Sequence, residues 1–263
     1  MVASLAGVLV RRLFGFLFAV VGLLVTLVFA FLISFVIVPW VVLPRGRRER
    51  YAIRGAQLFA WLVLRPLLWL RIERVGLEKL PKATGYLVLS NHRSWIDVPI
   101  LILYTASQGI SKKEVTWLPF FGLNGHVSGA IFFDRTKKLE RARVVSEALM
   151  LLRGGGNLHV FPEGTRTRDG RIGSRIYLRL VQTCWENGLD VVPACVWGTE
   201  AVVPSAGVYA MPGQSVGIEV ESPLDRAAFT DGEAYAEATW AKVVEVARRR
   251  GCDTPFAEAP PAR

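Results

Sequence analysis

The chain is predicted to fold as an α/β protein, a mainly parallel or mixed sheet flanked by helices, behind an N-terminal hydrophobic membrane anchor. Three observations predict this. Between residues 71 and 250, short apolar runs alternate with longer amphipathic stretches, the pattern of strands joined by helices. From Leu13 to Leu43 no charged residue occurs. Of the 263 residues, 52% are hydrophobic and mean hydropathy is +0.34, high for a soluble protein but fitting one sizeable domain plus an anchor.

Residues 1–50 form the expected anchor. As one helix at about 1.5 Å per residue, the uncharged run extends roughly 46 Å, against a hydrocarbon core of about 30 Å. That suffices for one tilted crossing and is short for two. Pro39 offers a break, so a single transmembrane span and a re-entrant hairpin both stay open. A cleaved signal peptide fits less well, because such apolar regions usually run about 7 to 15 residues and no small-residue cleavage site precedes Arg45. Arg11 and Arg12 precede the run, whereas Arg45, Arg47, Arg48, Arg50 and Arg54 follow it, which predicts that the domain beyond it lies in the cytoplasm.

Residues 51–70 read as an interfacial amphipathic helix, since Phe59, Trp61 and Trp69 suit a bilayer surface and Arg65 can snorkel. A helix packed against the domain fits equally well. Pro66 kinks it in either case. From 71 onward the predicted strands are Ile72 to Val75, Tyr86 to Leu89, Ile131 to Phe133, Leu158 to Phe161, Val191 to Val196 and Val216 to Val220. The predicted helices are Asp97 to Tyr104, Leu139 to Leu152 (stopped by Gly154-Gly155-Gly156), Ile176 to Asn187 and Glu233 to Arg249. Residues 251–263, rich in Ala and Pro, are expected to be a disordered tail, and no internal repeat is present.

Two polar segments directly follow apolar strands. The first, Asn91-His92-Arg93-Ser94-Trp95-Ile96-Asp97, sets a histidine and an aspartate five positions apart. An imidazole switches charge near neutral pH, and a carboxylate beside it fixes its tautomer and supports the imidazolium, so the pair suits general-base chemistry. A strand-to-helix turn capped by Asn91 or Ser94, with His92 as polar surface, explains the same spacing. The second, Phe161-Pro162-Glu163-Gly164-Thr165-Arg166-Thr167, offers a glycine for close backbone approach, hydroxyls, and an arginine fork suited to phosphate. A surface turn with a solvated arginine is its plain alternative. Two such loops at strand ends favour a ligand site, because open α/β sheets bind ligands there.

Together these segments resemble the glycerolipid acyltransferase family, typified by 1-acylglycerol-3-phosphate acyltransferase. Its Asn-His-x4-Asp motif matches Asn91, His92 and Asp97, with Trp95 inside. Its Phe-Pro-Glu-Gly-Thr-Arg motif matches Phe161 to Arg166. Between them stand Lys112-Lys113-Glu114, Pro119-Phe120-Phe121-Gly122 and Ile131-Phe132-Phe133-Asp134-Arg135, and later Val191-Val192-Pro193-Ala194-Cys195-Val196, all in the family's order. One departure is Ile172 to Tyr177, where relatives generally carry a short Phe-Lys-x-Gly element. The change leaves His92 and Asp97 untouched and bears on acceptor identity.

The resemblance implies acyl transfer from a thioester donor, acyl-CoA or acyl-carrier protein, to the free hydroxyl of 1-acyl-sn-glycerol-3-phosphate, giving phosphatidic acid. His92 and Asp97 are the expected catalytic pair. Glu163, Gly164, Thr165 and Arg166 are expected at the acceptor, with Lys113 and Arg135 as further candidates for its negative charge. No bound cofactor or metal is expected, and Ser94 is read as a helix-start hydroxyl. A metal-dependent hydrolase assembled from His92, Asp97, His126, His159 and Glu163 is disfavoured because no metal-ligand spacing links them. An acyltransferase acting on a different lysolipid acceptor and a catalytically silent membrane-binding module are the other readings.

Net charge is +10, but the excess lies in Arg45–Arg54, Arg135–Arg143 and Arg166–Arg179, beside apolar or motif segments. With no nucleic-acid-binding signature alongside, the expected partners are membrane lipids and the acyl donor, not nucleic acid. Cys184, Cys195 and Cys252 are far apart in sequence, which fits a reducing compartment, and Cys184 and Cys195, in apolar contexts, read as core residues. Nothing in the sequence fixes oligomeric state.

Overall fold

Seven strands, β1 Arg71–Val75, β2 Leu87–Ser90, β3 Ser107–Lys112, β4 Ile131–Phe133, β5 Asn157–Val160, β6 Val191–Trp197 and β7 Ser215–Val220, form one sheet in the order β1-β7-β6-β2-β5-β3-β4. This is the computed structural model of the chain, and its described residues are 5–134, 138–173, 175–205 and 209–254. Every neighbouring pair is parallel except β6 with β7. The predicted α/β class therefore holds. β2 occupies the middle and is buried at every residue, which is why it reads as a continuous apolar run without alternation.

The helices are α1 Leu5–Ile37, α2 Arg47–Leu62, α3 Asp97–Thr105, α4 Phe121–Ser128, α5 Lys138–Arg153, α6 Arg179–Glu186 and α7 Gly232–Arg249. One sheet face carries Val88, Val192, Val216 and Ile218 against α3 (Ile100, Leu101), with Phe18 and Phe29 of α1 and Phe59 of α2 packed on this core. The other face carries Leu87, Leu89, Leu158 and Val191 against α5, α6 and α7. Thus α1 and α6 lie on opposite sides of the sheet.

α1 is 33 residues, roughly 50 Å at 1.5 Å per residue, and is amphipathic only in the sense of packing. Its inward stripe includes Gly15, Ala30, Ile33 and Ile37, while Leu13, Phe14, Leu17, Val21, Leu24, Val28 and Phe35 are exposed. Contacts hold it to the domain along most of its length. The Ala210 N–H donates to the Gly15 carbonyl (3.2 Å), and Asn124 Nδ2 donates to the Ala30 carbonyl (2.9 Å). At Pro39 the helix tightens into a 3-10 turn over Val38–Val42, so the expected break is a change of winding. The stretch Leu13–Val42 is long and apolar enough to cross a membrane.

α2 begins at Arg47, earlier than the expected interfacial helix at 51, and packs Ala52, Ala56 and Ala60 inward. Gly55 allows the approach to α1, since a Cβ there would stand 2.6 Å from Ile37 Cγ1. Tyr51, Leu58 and Trp61 remain exposed on its outer side. At Pro66, which lacks an N–H, the chain makes one π-turn over Val63–Leu67.

The sequence reading contains no β3 or α4. Ser107-Gln108-Gly109-Ile110-Ser111-Lys112 has neither an apolar run nor a clean alternation, and it is a strand because β5 and β4 pair with it on both sides. The predicted helix from Ile176 begins only at Arg179, with Ile176 and Leu178 packed into the second core ahead of it. Cys252 is buried and its Sγ lies 3.4 Å from Cys195 Sγ, both free thiols, because α7 returns the chain to β6. Of the expected tail, residues 255–263 lie outside the described residues.

Candidate active site

The site forms where β2, β5 and β6 end on the same sheet edge. Beyond β2, Asn91 continues the pairing with β6 through its side chain: Nδ2 donates to the Val196 carbonyl and Oδ1 accepts from the Val196 N–H, each at 2.9 Å. This fixes the exit of the chain, and His92 follows. Its Nδ1 lies 2.8 Å from Asp97 Oδ2. The side chains expected to meet do so.

Asp97 opens α3 and is fully buried, where the helix N-terminus favours an anion. Its Oδ2 also accepts from the backbone N–H groups of Arg93 (2.6 Å) and Ser94 (2.7 Å), and its Oδ1 accepts from the Thr199 hydroxyl (2.5 Å). Four donors thus converge on one carboxylate. With Nδ1–H donating to Asp97, His92 keeps its lone pair on Nε2; this tautomer is inferred from the hydrogen-bond network. The imidazole is 15% exposed and lies flat on Phe161, ring centres 3.9 Å apart and planes within 10°. Ser94 does not cap α3. Its buried hydroxyl donates to the Val203 carbonyl (2.7 Å) and accepts from the Ile96 N–H (3.3 Å).

The loop after β5 grips the backbone of His92 from both sides. The His92 N–H donates to Glu163 Oε1 (2.8 Å), and its carbonyl accepts from the Thr167 N–H (2.9 Å). Glu163 Oε2 accepts from the Gly173 N–H (3.0 Å). Each oxygen of this buried carboxylate thus accepts from one backbone amide. Burial raises its pKa, opposed by the two amides. Gly164 takes φ +67°, a conformation that favours glycine, and Thr165 is exposed.

Arg166 lies with its guanidinium over the half-exposed Trp95 ring, 4.8 Å from the centroid. Among the described residues no carboxylate pairs with it. Burial lowers its pKa, partly offset by the nearby charge of Asp97. Lys113 is exposed just beyond β3, on the same sheet edge but two strands from β2, roughly 10 Å away at about 4.8 Å per strand. It faces a separate cleft of about 310 Å³ with Thr116, His126 and Arg143. Arg135 lies outside the described residues. A cavity of about 430 Å³ between α2, α4 and α5 touches neither His92 nor Asp97.

Three residues not singled out from sequence complete the site: Arg93, Thr199 and Glu200. Arg93 is 4% exposed, and its Nε and Nη2 donate to the two Glu200 oxygens, both at 3.0 Å. Its Nη1 donates to the carbonyls of Gly170 (2.8 Å) and Cys252. Burial pulls its pKa down, Glu200 pulls it up, and the net shift is upward. The available signal was Gly198-Thr199, a second Gly-Thr pair directly after an apolar strand, like Gly164-Thr165.

His126 on α4 packs against Phe132, and His159 stands behind Phe161, its Nδ1 2.9 Å from Ser107 Oγ. Burial pushes the His159 pKa down to about 3, so it is neutral. Among the described residues no group of three or more His, Cys, Asp or Glu is arranged to hold a metal ion.

Comparison with known proteins places the chain beside acyltransferases. The family described as Acyltransferase matches residues 71–197. A chloroplastic 1-acyl-sn-glycerol-3-phosphate acyltransferase of Arabidopsis thaliana is 30% identical over 218 residues, covering 81% of this chain and 59% of that protein. The alpha 1-acyl-sn-glycerol-3-phosphate acyltransferase of Mus musculus is 34% identical over 129 residues, 45% of each chain. The chain thus spans little more than half the length of the curated relatives it matches. The crystal structure of the 1-acyl-sn-glycerophosphate acyltransferase from Thermotoga maritima superposes with a TM-score of 0.76 at 21% identity, covering 97% of this chain and 99% of that one, a likeness of fold.

Proposed function

Because the chain belongs to the acyltransferase family, we propose that it transfers a fatty acyl chain from a thioester donor to the free hydroxyl of 1-acyl-sn-glycerol-3-phosphate, giving phosphatidic acid. What carries this reading is one juxtaposition: an imidazole held by a buried carboxylate, next to a partly desolvated arginine with no ion-pair partner among the described residues. A base beside an unmatched cation suits an acceptor bearing both a hydroxyl and a phosphate.

In the proposed step, His92 Nε2 takes the proton of the acceptor hydroxyl as its oxygen attacks the thioester carbonyl. Asp97 remains a carboxylate and stabilises the imidazolium. As the tetrahedral species collapses, the carbon–sulfur bond breaks and the proton on Nε2 passes to the departing thiolate, leaving an ester and a free thiol. No acyl-enzyme is needed, and the Ser94 hydroxyl is engaged elsewhere. Arg166 would hold the acceptor phosphate and Trp95 its guanidinium face. Glu163 would act as a brace for the His92 backbone. The step uses no metal or bound cofactor.

We also propose that α1 lies along one leaflet of a membrane instead of crossing it. A helix tied to an α/β domain at Gly15 and Ala30 cannot leave that domain to span, while its outer side offers lipid an unbroken apolar surface. The arginines between 45 and 54 then meet anionic headgroups, each worth about 1 kcal/mol near the surface, on the cytoplasmic side.

The test is an acyl-transfer assay on isolated membranes with a panel of lysolipid acceptors and both donor types, beside His92→Ala and with strong chelator present. Transfer to the phosphate-bearing acceptor that vanishes in the variant and persists in chelator is expected. Transfer only to acceptors lacking phosphate, or an undiminished His92→Ala, overturns the proposal.

A further inference from the structure

After Arg166 the described residues 167–173 and 175–178 form an arch before α6. Across 166–179 there are five arginines and a single carboxylate, Asp169. Asp169 is occupied locally, accepting from the Arg171 N–H and the Thr167 hydroxyl, each at 3.1 Å. Arg168, Arg171 and Arg175 are exposed. Among the described residues none of the three has an ion-pair partner; Arg175 lies over the Tyr177 ring at 5.3 Å.

The arch is fastened to the catalytic loop. Its feet are the Thr167 N–H on the His92 carbonyl, the Gly173 N–H on Glu163 and the Tyr177 N–H on the Pro162 carbonyl (2.9 Å). Its inner apolar residues, Ile172, Ile176 and Leu178, pack into the core shared with α5, α6 and α7. That core lies on the sheet face opposite α1. A bilayer lying against the apolar side of α1 is therefore on the far side of the sheet from these arginines, which face water.

We propose that Arg168, Arg171 and Arg175 form the docking face for the acidic surface of an acyl carrier protein, which brings its thioester to His92 from the aqueous side while the acceptor arrives from the lipid side. This rests on the acyl-transfer reading above. Spread, exposed arginines suit the distributed carboxylates of a protein surface, where complementary charge steers encounter and sets orientation. A nucleotide phosphate would be gripped by converging donors instead.

The experiment titrates the detergent-solubilised full chain with holo-acyl carrier protein at low salt, reading the Kd directly so that turnover is not required. For R168Q/R171Q/R175Q the Kd should rise on the order of tenfold, with a flatter salt dependence, whereas R47Q/R50Q, on the α1 side, should bind like wild type. Thermal melting checks that the exposed substitutions leave the fold intact, and a salt titration of the wild type needs no variant at all. Wild type that fails to bind the carrier, binding insensitive to about 0.5 M salt, or equal loss in R47Q/R50Q overturns the proposal. So does a triple variant that keeps carrier binding but releases phosphatidylglycerol vesicles. Wild type that binds the carrier yet transfers no acyl chain to any acceptor would sink acyl transfer and leave the docking face standing.

Discussion

Replacing Asp97 with Asn separates the charge of this residue from its geometry. The three donors on Oδ2, from His92 Nδ1, Arg93 N and Ser94 N, require an acceptor at that position, so the asparagine carbonyl must occupy it. Its NH2 then faces Thr199, whose hydroxyl can rotate to accept. His92 thus keeps its tautomer and ring orientation, and only the negative charge is lost. The 2.8 Å contact leaves the charge centres about 4 Å apart, and at an effective dielectric near 20 a unit pair there is worth about 4 kcal/mol. That stabilisation is felt when His92 becomes an imidazolium, so kcat for acyl transfer should fall about a thousandfold, each 1.36 kcal/mol being about a factor of ten. The assay is steady-state transfer at saturating donor and acceptor, beside a thermal melt confirming that Asp97→Asn is folded. A folded variant with kcat within about tenfold of wild type would refute the reasoning, since the pair would then not carry charge in the rate-determining step.

Arg166→Gln should lower kcat/KM about 10- to 100-fold for a phosphate-bearing lysolipid, the equivalent of losing about 1.5–3 kcal/mol of charge-assisted hydrogen bonding, and leave a neutral lysolipid little changed. Competition between the two acceptors reads this directly. Thr199→Val removes the donor to Asp97 Oδ1 in a fully buried setting and should destabilise the fold by about 1.5–3 kcal/mol, seen in denaturant titration as a lower midpoint at unchanged slope. For Glu221, burial alone would raise the pKa, but Lys79 (2.6 Å) and Arg249 outweigh it and the shift from 4.5 is downward. A depressed folded pKa means stability that is present above 4.5 and lost as pH falls through the lower folded value. The melting difference between wild type and Glu221→Gln should therefore be present at pH 7 and shrink as the pH drops below 4.5.

Much of this arrangement is legible in the sequence. β2, β5 and β6 announce themselves because buried strands of a parallel sheet need apolar side chains on both faces, and the polar residues of the site follow them immediately. The His92–Asp97 contact is local, spanning one turn before α3, so the sequence shows the pair as a candidate although a capped turn fits the same spacing. Thr199 and Glu200 were hidden because they reach Asp97 and Arg93 across more than a hundred residues, and only the pairing of β2 with β6 brings them there. The two backbone amides on Glu163 were hidden as well, because they come from His92 and Gly173, which only the fold brings to that loop. β3 was invisible for a related reason, since its polar residues are strand only by virtue of their neighbours.

Arg93 sets an order on biogenesis. Its guanidinium sits inside the protein beside the histidine, and the groups that satisfy it come from residues 170, 200 and 252. Until residue 252 has left the ribosome, that buried charge lacks one of its carbonyl partners, and a partly compensated interior cation is costly. The apolar helix α1, by contrast, precedes all of these partners along the chain and can meet lipid before they are made. During synthesis the polypeptide can therefore reach its membrane well before the reactive centre is able to close.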